Sequence, residues 1–137
     1  MKRTYRWVGL VIFLLLGVAI AISPLWDSQQ SKVKVIAKRD TELFLAGLEA
    51  YHAEYGEYPS GDNRTLIHIL KGDNPNKIQF VDLPEKSFNA HGEFVDPWGH
   101  PYRVDLSNPS KIRIWSIGKD GKDAPDDPAS GDIRSWD

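Results

Sequence analysis

The sequence predicts an α+β protein. One long, bent N-terminal helix, apolar in its first half and amphipathic in its second, packs on a small antiparallel β-sheet head that ends in an acidic loop. Three observations carry this expectation. A charge-free run of twenty residues, WVGLVIFLLLGVAIAISPLW, is followed by apolar side chains spaced three and four apart as far as Tyr55, which is helical periodicity. Beyond Gly56 the texture changes to short alternating runs broken by proline, glycine and asparagine, the pattern of short strands and turns. The C-terminal segment then gathers Asp120, Asp123, Asp126, Asp127 and Asp132 among glycines and prolines.

With 137 residues and 15.5 kDa, the chain has room for one ordinary domain, or for a membrane anchor and a small head. Lys2, Arg3 and Arg6 precede the apolar run, and all 19 acids follow it. The part beyond the run is therefore net acidic, which excludes a basic nucleic-acid-binding surface. Cysteine is absent, so a disulfide framework, a thiolate metal site, a lipidated anchor cysteine and a cysteine nucleophile are all excluded.

Taken in order, residues 1–6 read as a short cytoplasmic basic segment and residues 7–26 as a transmembrane helix or signal anchor. At 1.5 Å rise per residue the run matches a hydrocarbon core of roughly 30 Å. The positive charges before it keep the N-terminus in the cytoplasm and send residues 27–137 across, with Trp7 and Trp26 at the two interfaces. A cleaved signal peptide is the competing reading, since Ala19 and Ala21 form an A-x-A site; both readings export the rest of the chain. Pro24 predicts a bend rather than an end, because strongly helical sequence flanks it, so one bent helix is expected from about Arg6 to Tyr55. Its amphipathic part, residues 28–56, carries the stripe Val33, Ile36, Ala37, Phe44, Leu48, Tyr51 and Tyr55, with Asp40 among the polar residues of the other faces. Gly56 and Pro59 stop it.

Asp62 or Asn63 caps a short helix expected over residues 63–71, with Leu66, Ile69 and Leu70 inward. The β head is expected over residues 77–117. Its clearest part is a hairpin in which PYRVDL and KIRIWSI alternate around the turn SNPS. Residues 118–137 read as a loop. Packing this small meander on the amphipathic helix buries the helix stripe.

Four local patterns, in order, resemble one family. They are LEAYHAEYGEYPS at residues 48–60, DPWGHPY at 96–102, WSIGKDGK at 115–122 and GDIRSW at 131–136. Together they are similar to the type II secretion pseudopilins, above all the major, G-type member of this pilin-like group. The resemblance implies a structural subunit that assembles through its N-terminal helix into a pseudopilus supporting protein export. It implies as partners copies of itself, other pseudopilins and the inner-membrane components of the secretion system, with residues 7–26 in membrane lipid and no nucleic acid. The location it implies is the bacterial inner membrane, single-pass, with the C-terminal domain periplasmic or extracellular. The N-terminus departs from the family's pattern. That pattern has a processing glycine followed by Phe-Thr-Leu-x-Glu, whereas here Leu10 follows Gly9 and no acid precedes Asp27. A buried, unpaired amino terminus is costly, so this absence supports an alternative: a membrane-tethered or secreted calcium-binding module that does not polymerise.

Spacing alone makes the acidic loop a solvated tail. It is not an EF-hand, since the D-x-[DN]-x-[DN]-G spacing and a terminal glutamate are missing. The resemblance implies instead a calcium site, with side-chain ligands on Asp120 and Asp127 and main-chain carbonyl ligands near Ile117 and Asp123. Asp126, Ser130 and Asp132 are substitutes if the loop runs differently. Asp96-Pro97-Trp98-Gly99 has the order of a β-turn, and Trp98 beside it reads as core closure. His52, His68, His91 and His100 form no zinc-ligand pair. No nucleophile elbow, P-loop or dinucleotide fingerprint is present, and nothing pairs Glu57, Asp62, Glu93 or Asp96 in a cleft, so no enzymatic activity is expected.

Overall fold

The computed structural model describes the backbone of residues 4–137 and the side chains of residues 28–137. Helix α1 is Thr4–Tyr55 and helix α2 is Asn63–Leu70; a single 3-10 turn follows at Glu85–Ser87. Three short strands complete the fold: β1 (Arg103–Asp105), β2 (Arg113–Ser116) and β3 (Ile133–Arg134). The apolar run at residues 7–26, expected to span a membrane, and the bend expected at Pro24 lie outside the residues whose side chains are described. Among the described residues no helix is long and apolar enough to cross a membrane. The chain divides into two compact units, Met1–Lys34 and Val35–Asp137. The first is the leading part of α1, and the second, the head, contains the rest.

In the head, α1 ends where glycine permits it: Gly56 takes φ +79° and its N–H returns to the His52 carbonyl at 2.8 Å. Asp62 caps α2, its Oδ1 accepting from the Thr65 N–H at 2.9 Å. The neighbouring Asn63 does something periodicity cannot reveal. Its amide donates to the Phe94 and Tyr102 carbonyls at 3.0 and 2.8 Å and accepts from the Phe94 N–H at 2.7 Å, tying the start of α2 to two core segments.

The three strands form one antiparallel sheet in the order β1-β2-β3, with Val104 opposite Ile114 and Ser116 opposite Ile133. The first pair is the hairpin that the alternation predicts. Two features differ from the sequence expectation. The KIQFV run forms no strand, because the N–H groups of Phe80 and Val81 both turn to the Leu70 carbonyl at the end of α2. The third strand lies inside the segment expected as loop, and with two residues it is too short to show alternation.

The core joins Phe44 and Leu48 of α1 and Leu66, Ile67 and Leu70 of α2 to Val81, Leu83, Phe94, Tyr102 and Ile114, each 7% exposed or less. Gly47 lets the chain at Val81 lie directly on α1, since a Cβ there would collide with Val81 Cγ1. The α1 stripe is corrected at two places. Ile36 is 48% exposed on the outer face, whereas Asp40, expected among the polar faces, is buried and accepts a hydrogen bond from the Tyr102 hydroxyl at 3.1 Å.

Candidate metal centre

The acidic loop begins from a buried polar anchor. Asp96 Oδ1 accepts from the N–H groups of Trp98 and His100 at 3.0 and 2.9 Å, and the Gly99 N–H closes the turn on the Asp96 carbonyl at 2.9 Å. Asp96 Oδ2 accepts from the Ser116 hydroxyl, whose oxygen in turn accepts from the Gly118 N–H at 3.0 Å. The Asp-Pro-Trp-Gly turn therefore fixes the exit of β2. Gly118 takes φ +64° and faces the Gly131 carbonyl so closely that a Cβ would collide with it, which brings the two ends of the loop together. At Gly121, φ +67°, the His100 ring packs against the backbone, so that a Cβ would crowd its Nε2 at 3.2 Å, and the positive φ itself favours glycine.

Within this frame the aspartates separate into three groups. Asp127 and Asp126 serve the loop itself: Asp127 Oδ1 accepts from the Ala129 N–H at 2.8 Å, and Asp126 pairs with Arg113 at 3.1 Å. Asp123 faces the sheet, accepting from the Trp115 indole N–H at 2.8 Å and pairing with Arg103 at 3.3 Å. Its side chain is thus occupied, which leaves its main chain for the carbonyl role that the resemblance implies. Asp120 and Asp132 form the third group. Asp120 Oδ1 accepts from the Lys122 N–H at 3.2 Å and lies 3.8 Å from where a Cβ of Gly131 would stand, beside Asp132.

Asp132 is the least expected member. It is 7% exposed; its Oδ2 accepts from the Ala124 N–H at 3.1 Å, while its Oδ1 is buried with no hydrogen-bond partner. Burial pushes its carboxyl above the ordinary value of 3.8, and the negative charges of Asp123 and Asp120 push the same way. A buried carboxylate oxygen without a donor, facing further negative charge, suits a hard cation that takes oxygen ligands. Among the described residues no three acidic or histidine side chains form a ready ligand set, so a cation here needs main-chain carbonyls beside Asp120 and Asp132. Ile117, the other expected carbonyl ligand, is buried at the base of the loop, 6% exposed.

The loop is also tied to α1, a link that spacing gave no means of finding. Arg134 donates to the Pro125 carbonyl at 3.1 Å and, through Nε, to Asp137 Oδ2 at 2.7 Å. Lys38 of α1 donates to the Arg134 carbonyl at 2.8 Å and to the Asp137 carbonyl at 3.0 Å. One lysine thus holds the end of the chain on the helix.

A long N-terminal helix continuing into a head built on a small antiparallel sheet is the plan of a pilin-like protein. The chain belongs to the family of type II secretion system protein G, whose sequence profile matches residues 25–136. It is, in that sense, a type II secretion pseudopilin. No curated protein and no solved structure gives a match.

Proposed function

We propose that the chain is a structural subunit that assembles through α1 into a pseudopilus supporting protein export, with its head outside the cytoplasm and residues 7–26 in the inner membrane. The family membership over residues 25–136 carries the reading. The apolar run before it, preceded by Lys2, Arg3 and Arg6, supports the topology. Its neighbours in this reading are copies of itself, other pseudopilins and inner-membrane components of the secretion system, and its role is packing rather than catalysis.

In the same reading the loop holds calcium. Asp120 and Asp132 supply side-chain oxygens, the main chain near Ile117 and Asp123 supplies carbonyls, and Asp127 joins only if its turn reopens. When bound, calcium would neutralise the Asp132 carboxylate and join the two ends of the loop. Titrating the full chain in detergent tests the site: millimolar calcium raises Tm, since a ligand at about a hundred times its Kd adds about 2.7 kcal/mol. Unchanged melting at that concentration rules the site out.

The second reading, a tethered or secreted module that does not polymerise, is favoured by one observation: no acid precedes Asp27. Mass spectrometry of the mature N-terminus separates the two. A methylated N-terminal amine ahead of the apolar run supports the pilin-like subunit, and a start at Ile22 supports the secreted module.

A further inference from the structure

We infer that the Asp120-Gly121 peptide is a site of spontaneous backbone isomerisation, where the loop converts its own aspartate to isoaspartate, and that calcium in the loop suppresses the reaction. The second half rests on the proposed calcium site; the first stands without it.

Four observations single out this peptide. It is the one place in the sequence where glycine follows an aspartate or asparagine, so the nitrogen next to the side-chain carboxyl has no Cβ beside it to hinder attack. Asp120 and Gly121 are both exposed. Asp120 Oδ1 accepts from the Lys122 N–H at 3.2 Å, a turn that folds the carboxyl back over the Gly121 peptide. The Gly121 N–H has no hydrogen-bond partner among the described residues, so no bond has to break before its nitrogen turns toward Asp120 Cγ.

The same kind of turn recurs at Asn89, Asp96, Asp105, Asn108 and Asp127. Proline follows Asp96, Asn108 and Asp127, and its nitrogen carries no hydrogen to lose. Ala90 and Leu106 follow the other two, each with a Cβ beside the nitrogen. Turn and nucleophile therefore coincide at Asp120 alone.

The chemistry needs no co-reactant but water. The Gly121 nitrogen attacks Asp120 Cγ; an N–Cγ bond forms, a Cγ–O bond breaks, and the oxygen leaves as water with the amide hydrogen and the carboxyl proton. Water then opens the cyclic imide. Opening at Cγ restores aspartate, and opening at the main-chain carbonyl carbon gives isoaspartate, with no net change in mass. The chain then runs through the former side-chain methylene, and the carboxylate sits directly on Cα. This displaces a proposed calcium ligand and lengthens the loop whose ends Gly118 and Gly131 bring together. Calcium opposes the first step because it takes the carboxylate as an anion, whose oxygen is a poor leaving group. If only metal-free chain reacts, calcium at about a hundred times its Kd slows the reaction about a hundredfold.

The full chain in detergent, kept at neutral pH with chelator or with millimolar calcium, is digested with a protease that cuts before aspartate but not before isoaspartate. With chelator, the bond before Asp120 should become progressively resistant, and incubation in heavy-oxygen water should leave one heavy oxygen in that residue. Asp120→Glu keeps the charge but must close a larger ring, and should stop the reaction. Asp120→Asn should speed it, releasing ammonia. Chain unfolded in urea shows that the assay detects the product. Folded chain that stays cleavable before Asp120 while the unfolded chain reacts overturns the inference, as does equal resistance at Asp105 or persistence in Asp120→Glu. Calcium that raises Tm without slowing the reaction overturns the suppression and leaves the calcium site standing; calcium that changes neither overturns both.

Discussion

Asp132 is better suited to being a neutral acid or a cation-bound carboxylate than a free anion. One of its oxygens is buried without a donor, and burial with the nearby charges of Asp123 and Asp120 raises its pKa above 3.8. An acid whose folded pKa is raised binds its proton more tightly in the native state, so its stability contribution is present at low pH and is lost as pH rises through the folded value. Metal-free protein should therefore gain stability on acidification from neutrality toward the ordinary carboxylate range, and Asp132→Asn should reduce that gain. Calcium-loaded protein should show the opposite sign, because protonation of Asp132 competes with the metal. In the metal-free state Asp132→Asn should raise stability at neutral pH and abolish the calcium-dependent shift, both readable by thermal melts with and without chelator. Asp40 shifts in the same direction, chiefly through burial, so comparison with the Asp132 variant isolates the loop. In the sequence Asp132 is one acid among five, and a substitute ligand beside Asp126 and Ser130. Its distinction comes from the pairing of Ile133 with Ser116, a contact between distant residues.

Among the elements, α1 and the β1-β2 hairpin were legible because their periods are long enough to count. The end of α1 at Gly56 and the cap at Asp62 were legible because each position has its own chemistry. What escaped were connections that a few side chains make across the fold. Position and residue type make Asn63 only an alternative cap, yet it bonds the backbone of Phe94 and Tyr102. Asn63→Ala should cost about 2–3 kcal/mol, since it leaves buried backbone groups unpaired, and chemical denaturation reads this directly. Lys38, one polar residue among many in α1, holds the Arg134 and Asp137 carbonyls. Lys38→Met should cost about 1.5–3 kcal/mol and raise hydrogen exchange in β3 while leaving that in α2 unchanged. Gly118→Ala should destabilise the head by about 2 kcal/mol or more, because φ +64° and the Gly131 carbonyl both oppose a Cβ.

For the whole molecule, the average composition hides a division of labour. The bases before the apolar run, the charge-free run and the acidic remainder are three segments with different solvents in the proposed topology. The family motifs were legible because they are turns and ends whose residues are dictated locally: Asp96 accepting two N–H groups, and Gly118 and Gly121 at positive φ. The apolar outer face of α1 was not, since periodicity assigned Ile36 to the buried stripe. Electron microscopy of cells producing the full chain with its secretion apparatus tests the central claim most directly. The account predicts filaments containing this chain. A chain that stays monomeric in the membrane, with the apparatus complete, would contradict it.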